Sequence, residues 1–321
     1  MKVQKKVIFA ILAVMFLVLS GCSSNSQNQD EQKQISKAPS KFEIVQAKTI
    51  NMKTIQGIGY PGNDNALYIA ADKGLKIYKD SKWFETTTNL HNYMGFQPIE
   101  TGFLASGHPQ KGTSLKDPLG IVESTDKGKT LKNIAFYGQN NFHFISSSFS
   151  GNEIYILNEQ QDKNLNYGVN YSKDNGQTWK KSTLKNFNSD SLGMIAVHPK
   201  NGDIMAMATR TGVFYSEDNG NTMRLTAGPF MVTALTFDGD RILYSSVVEN
   251  NTILLNTVDP KTGQQGNITI PFLDQDNPIT YLAVNQKNAN QIAFTTYKND
   301  LYQSLDGGKN WNTLLKDGKI E

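Results

Sequence analysis

Ser172-Lys173-Asp174-Asn175-Gly176-Gln177-Thr178-Trp179 is the stretch on which the reading of this chain turns. Without gaps, the same pattern recurs at Ser124–Leu131, Ser216–Met223 and Ser304–Trp311. Its aspartates, Asp126, Asp174, Asp218 and Asp306, are spaced by 48, 44 and 88 residues. Because 88 is twice 44, a degenerate copy is expected near position 262, where Asp259-Pro260-Lys261-Thr262-Gly263 lies. Upstream, Tyr78-Lys79-Asp80-Ser81-Lys82-Trp83 stands 46 residues before Asp126 as a shortened copy. Six units result, and a fixed period of this length is the signature of a repeat architecture.

The motif reads as a tight hairpin. Asp126, Asp174, Asp218 and Asp306 are expected to accept backbone N–H groups two residues on, while Gly128, Gly176, Gly220 and Gly308 supply positive φ. Trp179 and Trp311 are expected to pack across their own hairpins. Between the motifs, short apolar runs alternate with turn residues. In the fourth unit these are 192–197, 204–209, 212–216 and 222–226; in the sixth they are 279–284, 291–296, 300–304 and 310–315. Four strands per period of about 44 residues define an all-β fold, a β-propeller of about six four-stranded blades, with seven blades as the alternative. Residues 42–48 add one more strand, placed either to seal the ring or to pack on its edge. The propeller is expected to occupy 42–321, with its last strand ending near 317.

The amino terminus carries a different message. Lys2, Lys5 and Lys6 precede the unbroken apolar run Val7–Leu19, which is shorter than the roughly 20 residues that span a bilayer. A basic start, a short apolar run and small residues after it predict a secretory leader over 1–21. Leu19-Ser20-Gly21-Cys22 matches the bacterial lipobox, so Cys22, the single cysteine, is expected to be lipid-modified. Residues 22–41 hold almost no apolar side chains and read as a tether. Membrane attachment through lipid on Cys22 and a location on the outer face of the cytoplasmic membrane follow. No thiol then remains for a disulfide.

The whole chain has 32 basic and 29 acidic residues, and removing the three leader lysines leaves it neutral. A nucleic-acid partner requires a basic face, and the neutral mature chain argues against one. Arginine occurs only at 210, 224 and 241.

The Ser-x-Asp-x-Gly-x-Thr-Trp pattern resembles the Asp-box (BNR) repeat of sialidases, sortilin-type receptors and photosystem II assembly factors. The segments Met94-Gly95-Phe96, Ala105-Ser106-Gly107-His108-Pro109 and Asp117–Asp126 are similar to a bacterial family of exported, glycosyl hydrolase-like propellers. This resemblance implies a propeller in which the box is a folding element on the rim. Members of that family tend to carry histidine where Gln56 stands here, a departure that weakens transfer of any multi-histidine site.

Up-and-down strands A to D put the A–B loops and the box hairpins on one face, and the B–C and D–A loops on the other. Ligands are expected at the second face, where loops are held on a rigid scaffold. Candidate ligand-face residues are Asp72, His91, His108, Asp117, Arg210, Tyr297 and Lys298, with His143 at the start of an inner strand. His198 falls on the box face, in a structural turn. A near-neutral imidazole can act as acid, base or ligand, and it can equally fix a loop by bonding to a carbonyl.

Two functions fit. One is a binding or assembly module for a protein, peptide or glycan. The other is a glycosidase, whose two carboxylates would come from Asp72, Asp117, Glu123, Glu159 or Glu249, which no spacing pairs. Sialidase chemistry is disfavoured, because of the three arginines only Arg210 is placed for a substrate carboxylate. No motif specifies a cofactor. A metal would need His91, His108 and His143 to converge.

Overall fold

The computed structural model describes residues 41–160, 165–248 and 251–320. The leader, Cys22, most of the tether and Glu249 lie outside them. Every element among the described residues is a strand or a turn. β1 (Ile44–Gln46) precedes six consecutive four-strand units. The first is β2 (Ile55–Gly59), β3 (Leu67–Ala71), β4 (Gly74–Lys79) and β5 (Lys82–Thr86). The second is β6 (Asn92–Ile99), β7 (Gly102–His108), β8 (Ile121–Ser124) and β9 (Lys132–Ala135). The third is β10 (Ile145–Ser147), β11 (Ile154–Asn158), β12 (Gly168–Ser172) and β13 (Lys180–Lys181). The fourth is β14 (Ile195–Val197), β15 (Met205–Thr209), β16 (Gly212–Ser216) and β17 (Arg224–Ala227). The fifth is β18 (Met231–Asp238), β19 (Arg241–Val247), β20 (Ile253–Val258) and β21 (Gln265–Ile268). The sixth is β22 (Ile279–Val284), β23 (Ile292–Thr296), β24 (Leu301–Ser304) and β25 (Asn312–Leu315).

Each unit is one antiparallel sheet in chain order, so the molecule is a six-bladed propeller and the seven-blade alternative is set aside. The second strand of each blade is buried on both faces, because one set of alternate side chains meets the preceding blade and the other meets the next. In β3, Leu67, Ile69 and Ala71 pack toward blade 6, while Tyr68 and Ala70 pack toward blade 2. The core is therefore six apolar clusters, one at each junction between blades.

Among the described residues no strand is exchanged to close the ring. β1 pairs with β5 at the outer edge of blade 1, with Val45 opposite Glu85. Blades 6 and 1 are joined instead by apolar packing and by bonds between loops. Asn299 Oδ1 accepts the Ile55 N–H at 3.0 Å, and Asn299 Nδ2 donates to the Lys53 carbonyl at 3.0 Å. Gln303 Nε2 donates to the buried Tyr60 hydroxyl at 3.0 Å, and Met52 N–H donates to the Gly318 carbonyl at 2.9 Å.

The repeated hairpins differ in detail from the expectation. The aspartate reaches four residues on, not two: Asp126, Asp174, Asp218 and Asp306 Oδ1 accept the N–H of Thr130, Thr178, Thr222 and Asn310. The preceding serine, which is buried, holds the glycine. Ser304 Oγ accepts the Gly308 N–H at 2.8 Å and donates to Asp306 Oδ1 at 2.8 Å, and Ser124, Ser172 and Ser216 do the same. Trp179 and Trp311 face backwards along the ring. The Trp179 ring lies tilted at 5.3 Å from Phe136, beyond the outer strand of blade 2, while its Nε1 donates to the Gly176 carbonyl of its own hairpin. Trp311 Nε1 donates to the Thr269 carbonyl beyond the outer strand of blade 5, while its ring meets Phe294 of its own blade. The glycines sit equally close. A Cβ on Gly176 would lie 2.7 Å from Ile134 Cγ2, and one on Gly308 would lie 2.4 Å from Ile268 Cγ2. The hairpin is thus a clasp on the preceding blade as well as a turn.

Candidate functional site

The six innermost strands, β2, β6, β10, β14, β18 and β22, surround a central channel with a cavity of about 100 Å³. Its polar lining includes Gln56, Gln97, His143, Ser146, Thr236 and Tyr281. Among the described lining residues there is no Asp, Glu, Lys or Arg. Gln56 Oε1 is buried there without a hydrogen-bond partner, whereas Gln97 Nε2 donates to the Pro98 carbonyl at 2.9 Å.

Ionisable groups gather around the second face in separate pairs. His143, just ahead of β10, lies at the channel and has Nδ1 3.0 Å from Glu159 Oε2, with both side chains about half exposed. His108 closes β7, and its Nδ1 lies 2.6 Å from Asp117 Oδ1, again in solvent. His91 is drawn inward. It is 1% exposed, its Nδ1 accepts the Gln110 N–H at 2.9 Å, and its ring meets Tyr93 edge-on. Burial pulls its pKa down to about 4, so it is neutral and holds the loop that begins at Pro109. Among the described residues no three His, Cys, Asp or Glu side chains are arranged to hold a metal ion.

Asp72 and Lys73 form the turn between β3 and β4, half-buried and exposed respectively. Arg210 is exposed between β15 and β16, with its N–H bonded to Ser191 Oγ at 3.1 Å. Tyr297 is 71% exposed and Lys298 is exposed beside it, on a turn whose N–H groups reach the Pro278 carbonyl and Asn277 Oδ1. The other arginines stand apart: Arg224 lies over the Tyr215 ring on β17, and Arg241 pairs with Asp238 at the A–B turn of blade 5. Glu123 pairs with Lys132 on the outer strands of blade 2. His198, on the box face, accepts the N–H groups of Lys200 and Asn201 at Nδ1 and has Nε2 2.9 Å from Asp240 Oδ1.

One exposed side chain escaped the sequence reading. Phe272, in the loop from β21 to β22, is 81% exposed on the same side as Tyr297. In sequence it sits in the apolar run Ile270–Leu273, beside the core residue Leu273, and periodicity does not separate the exposed member from the buried ones.

No protein-family model and no curated protein matches the chain. Solved structures similar to the chain include other propellers. The GH74 xyloglucanase from Xanthomonas campestris aligns at 14% identity over 86% of this chain and 47% of its own, with a TM-score of 0.52. The chain spans about half the length of that enzyme. The nidogen/laminin complex aligns at 12% identity over 77% and 92%, with a TM-score of 0.55. A gluconolactonase from Xanthomonas campestris aligns at 11% identity over 77% and 84%, with a TM-score of 0.54. At such identities the likeness concerns the fold alone.

Proposed function

We propose that this chain is a membrane-tethered, extracytoplasmic binding module of the Asp-box type, held by lipid on Cys22 at the outer face of the cytoplasmic membrane. Its ligand, a protein, peptide or glycan, is taken on the second face. The observation that carries this reading is the channel lining, which holds no carboxylate among its described residues. A glycosidase needs an acid and a second carboxylate flanking one bond. Large exposed side chains on the same face, Phe272 and Tyr297, offer contact surface of the kind that concentrates binding energy in interfaces.

The similar structures include an enzyme and a complex of two proteins, so likeness does not choose between the readings. The glycosidase alternative rests on the solvent-facing Asp117 and Glu159.

The test combines two assays on the full chain. Cross-linking in intact cells and a glycan array identify ligands, and Phe272→Ala/Tyr297→Ala is expected to reduce the signal about tenfold or more with folding unchanged. Release of reducing ends from polysaccharides, abolished by Glu159→Gln or Asp117→Asn, would establish the enzyme instead. Palmitate labelling that disappears in Cys22→Ala tests the anchor.

A further inference from the structure

We infer that the outer rim of blades 1 to 3 docks on anionic phospholipid headgroups, so that the propeller lies against its membrane on that edge. The edge strands carry the argument. β9 presents Lys132, and β13 consists of Lys180 and Lys181, both exposed. Lys129 and Lys185 extend the row, and no ion pair engages Lys129, Lys180, Lys181 or Lys185 among the described residues. On blade 1 the edge is β1, flanked by exposed Lys41 and Lys48, with Ile44 and Val45 36% and 38% exposed between them. Lysines beside exposed aliphatic side chains suit a headgroup boundary, where charge meets phosphate and the apolar groups meet the acyl border.

The opposite rim lacks this character. β21 and β25 contain no charged residue, and β17 carries only Arg224, which lies over the Tyr215 ring. Residues 41–186 hold 17 lysines against 13 carboxylates, whereas residues 187–321 hold 10 basic against 14 acidic side chains. The sequence charge is therefore polarised along the ring, and 231–278, the span of blade 5, carries six carboxylates against Arg241 and Lys261.

The chain also enters through this edge. β1 leads directly from the segment read as a tether. On the lipoprotein reading, a chain already attached to a charged surface needs only weak headgroup contacts to fix its orientation.

The experiment uses the full chain carrying Cys22→Ala, so that no lipid on that residue contributes. Co-sedimentation with vesicles of phosphatidylglycerol and phosphatidylcholine is compared with pure phosphatidylcholine. The leader, with Lys2, Lys5 and Lys6, is common to every variant, so the readout is the change in the ratio of the two between variants. The ratio is expected to fall about tenfold on adding Lys180→Glu/Lys181→Glu, and to fall toward one at 0.5 M salt. Lys200→Glu/Lys261→Glu, the same charge change on blades 4 and 5, is expected to leave it unchanged. Equal losses in the two double variants, or no loss in either, would overturn the proposal. Circular dichroism confirms that both variants fold, and neither position enters a buried contact. Membrane retention of the wild-type chain against Cys22→Ala tests the anchor separately, and retention that survives the cysteine change leaves the rim result standing.

Discussion

Ser304 shows how much a small side chain can carry. It is fully buried, and one oxygen both fixes the Gly308 N–H and steadies Asp306. Replacing it with alanine leaves that N–H buried and unpaired, so Ser304→Ala is expected to cost about 1–3 kcal/mol in denaturant unfolding. Asp306→Ala acts nearer the solvent and is expected to cost less; the reverse order would show that the carboxylate holds the turn. His91 makes a second prediction at this scale. Its folded pKa of about 4 lies below the ordinary value of 6.5, so the unfolded chain binds the extra proton. Stability from this group is complete above about pH 6.5 and is lost as pH falls to about 4, by about 3 kcal/mol at most. His91→Phe keeps the ring edge against Tyr93, and its stability is expected to be lower but flatter across that range. The hairpin aspartates act further down. Asp174 is held at about 2 by the Thr178 hydroxyl and N–H, and Asp306 at about 2 by the Asn310 side chain and N–H. Their contribution is present above the ordinary carboxylate pKa and fades toward pH 2. A midpoint that stays level from pH 6.5 to 4 in the wild type would exclude the His91 assignment.

Within elements, the loop from β23 to β24 is the most heavily bonded. Asp300 has a fully buried carboxylate, which accepts from Lys316 Nζ at 2.8 Å, Asn277 Nδ2 at 2.9 Å and the Asp317 N–H at 2.9 Å. Burial would raise its pKa, but the Lys316 ammonium and these donors outweigh burial and lower it. Lys316→Met removes the cation and leaves the charge underground. The expected loss is about 2 kcal/mol, below that of a wholly buried pair because Lys316 is itself half exposed. Thermal unfolding of Lys316→Met beside Lys316→Arg measures it, since arginine restores the charge.

Across the whole molecule, the ring closes without a shared strand among the described residues, which concentrates its weakness at one seam. Asn299 joins Ile55 and Lys53 there while sitting at φ 64°. Asn299→Gly keeps that backbone geometry and deletes both bonds, so the expected loss of about 1–2 kcal/mol reports the seam and not strain. Hydrogen exchange is expected to accelerate first in β2 and β24. Uniform acceleration over all six blades would show instead that the apolar cluster alone closes the ring.

Much of this was legible in the linear chain. A motif repeated at about 44 residues required a ring of like units, and continuous apolar B strands such as Leu67–Ala71 required burial on both sides. The proposed leader and lipid on Cys22 rest on composition and order alone. What tertiary structure decided is where the repeats face. Trp179 does bond within its own hairpin, and only the neighbouring blade shows that it and Gly176 are also a clasp. His91, His108 and His143 read alike along the chain. In space one is buried and neutral, one sits on Asp117 at the rim and one lies at the channel beside Glu159. Burial and charge environment depend on side chains dozens of residues away, and a local pattern cannot encode them. Phe272 remained unseen for the same reason, since an exposed aromatic is defined by what fails to cover it.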